Sequence, residues 1–176
     1  MRLLLAATAL SLTFAPLTFS GAAFAQQPVP PGEQPVDPYL QSNANAGATP
    51  LKDDSVLKAF HGKEGLARIT SDLVDRNIAD PRIKDIFATA DIVRLKRTLS
   101  EQFCYILAGP ASDGGCDYTG KDMSATHQYQ GITPRDFNIL VENLQKAMDK
   151  EGVPFAAQNK LLAKLAPMSR QVIERR

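Results

Sequence analysis

Residues 118–133 read YTGKDMSATHQYQGIT, and this stretch contains a single histidine, His127. The pattern predicts a short helix that carries His127, because Gly120 precedes it as a turn residue and Gly131 follows it. Amphipathic helical segments lie on both sides along the chain. Such segments can surround an apolar group, so the rest of the chain is expected to build a pocket around this histidine.

The overall composition excludes several kinds of protein. The chain has 176 residues, with 20 basic and 19 acidic side chains and a net charge of +1. That balance lacks the basic footprint of a nucleic-acid-binding protein, so no nucleic acid partner is expected. Two cysteines and two histidines are too few for a multi-cysteine zinc site. The length allows one domain of ordinary size with additional segments.

The first 25 residues have the pattern of a secretory signal peptide. Arg2 precedes an apolar run that starts at Leu3 and continues to Phe19, and residues 23–25 form an Ala-x-Ala cleavage site. A membrane anchor is the alternative, but the run is short for a span and is interrupted by Thr, Ser and Pro. We therefore expect residues 1–25 to be removed, the mature protein to be exported to a Gram-negative periplasm, and no membrane span to remain after cleavage.

Residues 26–50 differ in composition from the rest of the chain. They are rich in Pro, Gln and Asn and contain few large apolar side chains. Such a segment buries too little surface to offset the entropy lost on ordering, which predicts a disordered linker. A partner-docking motif is the alternative, but residues 28–31 (PVPP) are too generic to support it.

Residues 51–176 are expected to form one folded all-α domain. The longest clean helical pattern runs over residues 91–108, where apolar residues recur at intervals of three and four. Thr133, Pro134 and Asp136 predict a helix start with a capping box. Other helices are predicted over residues 56–60, from about 63 to 80, in a short turn starting at Pro81, and from Pro154 onward with a kink or loosened end at Pro167.

Several of these motifs together resemble the truncated haemoglobins, most closely group I. The specific part is Tyr118-Thr119-Gly120-x-x-Met123-x-x-x-His127, and residues 62–66, 79–83, 107–110 and 152–154 add weaker support. The resemblance covers about residues 51–173. It implies a two-over-two helical sandwich around haem b, with a diatomic gas (O2, NO or CO) as the ligand.

The resemblance also implies roles for individual residues. His127 matches the proximal ligand of haem iron, Phe87 matches an aromatic that packs on the haem face, Leu95 matches a distal residue, and Lys96 matches a basic residue near a haem propionate. The other candidate cofactor-binding residues are Val74, Leu99, Phe103 and Met123. The second histidine, His61, is expected to face solvent; a haem coordinated by two histidines is the alternative.

The distal side departs from the group I pattern. Val74 and Leu99 occupy the positions where group I members usually have a Tyr and a Gln that donate hydrogen bonds to bound oxygen. The polarity of the distal pocket decides whether haem iron binds oxygen, activates it or transfers electrons. An apolar pocket therefore argues against tight oxygen storage, whereas NO and CO need such donors less. Gln102 lies one turn further along, and the sequence does not decide whether it points inward.

Two functions therefore stay open. The first is gas binding with NO dioxygenase or peroxidase-like activity, which is expected to need an external electron donor because the sequence contains no reductase domain. The second is a haem carrier or gas sensor without turnover. A globin module that has lost haem is a third interpretation, and the presence of His127 argues against it.

The two cysteines are candidates for a disulfide. Cys104 lies near the end of the long helix, and Cys116 lies in a loop that looks longer than is usual in the family. In an oxidising periplasm the two thiols can pair. The alternative is two unpaired thiols, one of them buried.

Overall fold

The computed structural model describes residues 28–174, so the predicted signal peptide lies outside the described residues. This part of the chain consists of α-helices and 3-10 helices joined by turns and loops, and it contains no strands. None of these helices is long and apolar enough to cross a membrane. The α-helices are α1 (Asp54–Ala59), α2 (Gly62–Ala79), α3 (Ile92–Ala108), α4 (Met123–His127), α5 (Pro134–Lys150), α6 (Phe155–Leu165) and α7 (Ser169–Val172).

The four long helices α2, α3, α5 and α6 build the two-over-two sandwich that was predicted. Helix α2 packs on both α3 and α5, α3 and α5 contact α6, and the short α4 packs against α7. One apolar cluster fills the centre, and its fully buried members include Phe60, Leu66, Ile69, Leu73, Ile106, Leu107, Leu144, Met148 and Leu161. The core therefore comes from all four long helices, and α4 lies at its margin.

Side-chain caps set the starts of four of the seven α-helices in the described residues. The Asp91 carboxylate accepts the Arg94 N–H and starts α3, and Thr133 forms the predicted capping box with Asp136 at the start of α5. Asp53 caps α1, whereas we expected Asp54 or Ser55 to do so, and the helix therefore begins two residues earlier than predicted. The expected loosened end near Pro167 is observed, because α6 ends at Leu165 and a 3-10 turn follows.

The turn after α2 differs from the prediction. We expected Pro81 to begin a short helix, but the 3-10 helix begins at Lys84 and ends at Phe87. The Asp80 carboxylate instead accepts the backbone N–H of Arg82 and pairs with its guanidinium. This local bond holds residues 80–82 in a turn and delays the helix.

The segment expected to be a disordered linker is, from Pro28 onward, packed against the helical domain. Glu33 lies between two arginines of α3, and its side chain is 1 % exposed. Its carboxylate lies 3.0 Å from Arg94 Nε and 3.0 Å from Arg97 Nη2. The Gln34 N–H donates to Asp91 at 2.7 Å. Residues 28–50 thus differ from the linker expectation because polar contacts to α3 replace the apolar burial that their composition lacks.

Acid is expected to release this segment. The Arg97 and Arg94 guanidinium groups hold the pKa of the Glu33 carboxyl below its ordinary value, against the opposing effect of burial. A depressed pKa stabilises the folded form above the unfolded pKa of about 4.3, and this stabilisation is lost as pH falls through the folded pKa. Amide exchange should therefore show the protection of the Gln34 N–H falling in that window.

The Glu33→Gln variant tests the same contact at neutral pH. We expect the Gln34 N–H to lose protection there already, with little further change on acidification. Asp37→Asn removes an exposed carboxylate from the same segment and is the matched control. Equal protection in the Glu33→Gln variant and the wild type would contradict the prediction.

The structure joins Cys104 and Cys116 in a disulfide, with 5.5 Å between their Cα atoms. Cys104 is buried on α3, and Cys116 is half-buried in the loop that leads toward α4. The Lys63 ammonium also donates to the Gly115 carbonyl at 2.7 Å. The loop before α4 is thereby fixed to both α3 and α2.

Removal of this disulfide is expected to lower stability substantially. The bond joins residues 12 positions apart. In the chain-entropy model, closing such a loop stabilises the folded state by about 3 kcal/mol. The Cys104→Ala/Cys116→Ala variant should lose about that free energy of unfolding in urea titrations. Ser112→Ala changes an exposed side chain in the same loop and should leave the midpoint unchanged. An unchanged midpoint in the double variant would show that the loop is ordered without the bond.

Candidate functional site

His127 is the last residue of α4 and is held by the first residue of that helix. Asp122 caps α4 by accepting the Ala125 N–H at 3.0 Å. The His127 Nδ1 lies 2.7 Å from the Met123 carbonyl oxygen. Because a carbonyl oxygen only accepts hydrogen bonds, Nδ1 must donate, and in the neutral ring the proton is on Nδ1. The Nε2 atom therefore keeps its lone pair.

The surroundings of His127 favour its neutral form. Burial lowers the pKa of the imidazole, and the Met123 carbonyl and the Glu174 carboxylate oppose that shift only in part. A metal is bound by the neutral ring, so a lowered pKa keeps the ligand ready at neutral pH. The donor atom, its tautomer and its protonation state all fit an axial ligand of haem iron.

Several apolar side chains on α3 and α5 are only half-buried. The buried residues of α3 all belong to its C-terminal half, from Gln102 to Ala108, whereas Leu95 and Leu99 in the other half are half-buried. Phe87 is half-buried too, as are Phe137, Leu140 and Val141 of α5. A large apolar group can cover such surfaces, so these residues fit a haem as well.

The remaining candidate residues divide into two groups. Val74, Phe103 and Met123 are buried, and Phe103 and Met123 belong to the central apolar cluster with Leu99 packed against it. Lys96 instead donates to Asp75 of α2 at 2.7 Å. Its ammonium is therefore already paired within the protein.

Gln102 points inward, which answers the question that the sequence left open. Its Nε2 donates to the Ala46 carbonyl at 2.9 Å and lies 3.2 Å from the Met123 sulfur. The Gln102 amide is therefore engaged by the segment before α1 and by the first residue of α4. In this arrangement Gln102 does not supply the hydrogen-bond donors that the side chains of Val74 and Leu99 lack.

His61 lies at the start of α2 and is exposed, as expected. Its Nδ1 is 3.1 Å from a Glu151 carboxylate oxygen, which also pairs with Arg68. This contact joins His61 to the end of α5 at the protein surface. His127 is thus the histidine whose geometry fits a metal ligand.

A cavity of about 790 Å³ lies between residues 28–41 and one side of α3, and His127 is not among the residues that line it. Arg94, Arg97 and Glu101 form its wall on α3, with Thr119 beside them. The arginines there are paired with Glu33, so the charges of the wall are compensated within the protein. None of the candidate haem-binding residues lines this cavity.

Residues 55–174 match the bacterial-like globin family. This chain is a bacterial-like globin. It is 29% identical over 118 residues to the group 1 truncated hemoglobin GlbN of Mycolicibacterium paratuberculosis, covering 67% of this chain and 83% of that protein. It is 22% identical over 108 residues to the group 1 truncated hemoglobin of Tetrahymena pyriformis, covering 61% and 85%. These relationships support the predicted resemblance to the group I truncated haemoglobins.

Solved structures agree with this globin in fold. The crystal structure of the Tetrahymena pyriformis truncated hemoglobin, in its Fe(III) form, has a TM-score of 0.62 at 19% identity and covers 68% of this chain and 98% of its own. The 2/2 hemoglobin from Synechococcus sp. PCC 7002 has a TM-score of 0.58 at 18% identity, with coverage of 66% and 94%. The latter structure is in the cyanomet state with covalently attached heme.

Sequence reasoning missed several residues that border the site in this globin. Asn43, Ala46 and Gly47 belong to the segment expected to be a linker, and Glu174 lies near the end of the chain. A local signal existed for the first three, since Ser42 caps a 3-10 helix that ends at Gly47 with positive φ. Glu174 accepts the Gly131 N–H at 2.5 Å, a contact between distant residues that no local pattern indicates.

Proposed function

We propose that this globin binds haem b through Nε2 of His127 and binds a diatomic gas at the haem iron. The observation that carries the proposal is the His127 imidazole, whose Nδ1 donates to the Met123 carbonyl, so that Nε2 keeps the lone pair that a metal needs. Haem iron supplies a coordination position for O2, NO or CO. The family relationship supports the cofactor, as does the heme of the Synechococcus structure.

The other candidate residues would form the walls around the haem. Phe87, Leu95 and Leu99 are half-buried and can pack on its faces, and Val74 and Phe103 would close the apolar wall behind them. Met123 would support the proximal side through α4. Lys96 would reach a haem propionate only by exchanging its contact with Asp75.

The apolar distal side supports a second candidate function. Val74 and Leu99 have no hydrogen-bond donor, and the amide hydrogens of Gln102 are engaged elsewhere. A haem carrier or gas sensor without turnover needs no distal donor. NO dioxygenase or peroxidase-like activity, by contrast, would need an external electron donor as well as binding.

We also propose that the protein is exported and that its helical domain works in an oxidising compartment. The signal-peptide pattern of residues 1–25 supports this, and so does the Cys104–Cys116 disulfide, since such bonds persist mainly outside the cytoplasm. Mass spectrometry of the periplasmic fraction should find a chain that begins at Gln26 and is two mass units lighter than its reduced form. A full-length reduced chain in the cytoplasm would contradict the proposal.

The absorption spectrum of the mature chain, expressed with haem, tests the main proposal. We expect one haem per chain, and a ferrous spectrum that changes on addition of CO or NO. Consumption of NO in the presence of oxygen and an external reductant would favour the enzyme. Fast transfer of haem to apomyoglobin without NO consumption would favour the carrier. A protein that takes up no haem would refute both.

A further inference from the structure

Residues 39–47, which we call the clamp, contact the peptide that leads into α4 at several points. The Tyr39 hydroxyl donates to the Thr119 carbonyl at 2.8 Å. Asn43 accepts the Tyr118 N–H at 2.7 Å and donates to the Asp117 carboxylate at 2.9 Å. The clamp thus pairs with residues 117–119, which are more than 70 positions away along the chain.

The second half of the clamp continues the same contact. Asn45 donates to the Gly120 carbonyl at 3.2 Å, and Ala46 is fully buried. Gly47 lies so close to α4 that a Cβ built there would be 2.7 Å from Met123 Cγ. Its φ of 80° also disfavours any larger residue. The clamp therefore follows the peptide from residue 117 up to the first residue of α4.

Gln102 joins the clamp, α3 and α4 at one point. Its amide donates to the Ala46 carbonyl and lies against the Met123 sulfur, and it is buried. Met123 in turn accepts the hydrogen bond from His127 Nδ1. A continuous series of contacts thus runs from the clamp through Gln102 and Met123 to the imidazole.

We infer that the clamp and Gln102 are positioning residues for His127, so that the segment before the helical domain completes the proximal side of the haem site. The inference rests on the proposed function. The reason is physical, because α4 has only five residues and is too short to be stable as an isolated helix. Its direction must come from its neighbours, and the clamp supplies contacts along the peptide that enters it.

Two variants of the mature chain test this inference. Asn43→Ala removes both contacts to residues 117–118, and Tyr39→Phe removes a single hydroxyl and preserves the ring, so it should fold. The control is Asp53→Ala, which removes the cap of α1. This control lowers stability as a structural change would, without touching the clamp.

The first measurement uses the apoprotein and needs no haem. Nitrogen NMR of the His127 ring reports which nitrogen carries the proton. We expect the wild type and Asp53→Ala to show the Nδ1–H tautomer, and Asn43→Ala to show a mixture of tautomers. A wild-type tautomer in both clamp variants would overturn the inference.

The second measurement uses the haem-loaded protein. Resonance Raman spectra of the ferrous form should show a shifted or broadened iron–histidine stretching band in Asn43→Ala, and haem dissociation at least tenfold faster than in the wild type. Tyr39→Phe should change both in the same direction by less. Changes no larger than those of Asp53→Ala would show a structural role only and overturn the inference. If the wild type binds no haem, the proposed function fails, and the tautomer measurement still decides the role of the clamp.

Discussion

His127→Ala is expected to remove the axial ligand of haem iron and to weaken haem binding strongly. The substitution removes the one side chain whose free nitrogen, tautomer and lowered pKa fit an axial ligand. Loss of a residue that merely supports a ligand costs 10- to 100-fold in metal affinity, so loss of the ligand itself should exceed about 100-fold. The purified variant should lose its haem absorption band, or show a shifted band from haem held by apolar contacts alone.

Two comparisons make this result specific to coordination. Gln128→Ala changes the exposed neighbour of His127 and should bind haem like the wild type. Free imidazole added to the His127→Ala variant should restore a wild-type-like ferrous spectrum, because the small molecule supplies the missing nitrogen. A variant that keeps haem with an unchanged ferrous spectrum would show that a different residue is the ligand.

The pH dependence of haem uptake follows from the same imidazole. Burial lowers the pKa of His127, so the ring stays neutral to lower pH than an ordinary histidine does. Haem uptake should therefore persist below pH 6.5, the ordinary value for histidine, and fail as pH drops through the lowered pKa.

The short-range features of this protein were predictable from sequence. Helix α3 carries an unbroken apolar stripe, and the capping residues Thr133 and Asp136 mark the start of α5, so periodicity and local hydrogen bonding located both. The short helix around His127 was predicted from the glycine on each side of it. Each of these signals lies within a few residues of the structure that it specifies.

The contacts between distant residues were not predictable in the same way. Asn43 and Tyr39 are polar residues in a segment poor in apolar ones, so composition alone indicated disorder, and their partners lie in the loop before α4. Lys96 and Gln102 illustrate the same limit on α3. A helical pattern gives the direction of a side chain, but the partner that it finds, Asp75 or the Ala46 carbonyl, depends on the packing of other segments.

Leu99→Gln is expected to slow oxygen dissociation about tenfold in the haem-loaded protein. A hydrogen bond from the new amide to bound oxygen would contribute about 1–1.5 kcal/mol, and 1.4 kcal/mol corresponds to a factor of ten. Leu99 is the better position for the change, because it is half-buried, whereas Val74 is fully buried and a larger residue there would overpack the core. Stopped-flow displacement of oxygen by CO measures the rate.

Leu99→Met is the control, since it keeps an apolar side chain of similar volume. It should leave oxygen dissociation unchanged, and CO binding should change little in either variant because bound CO is less polar. A large effect of Leu99→Gln on oxygen alone would show that position 99 faces the bound gas and that its leucine keeps the distal side apolar. An equal rate in all three proteins would place Leu99 away from the gas, and the apolar distal pocket would then have to be built from other residues.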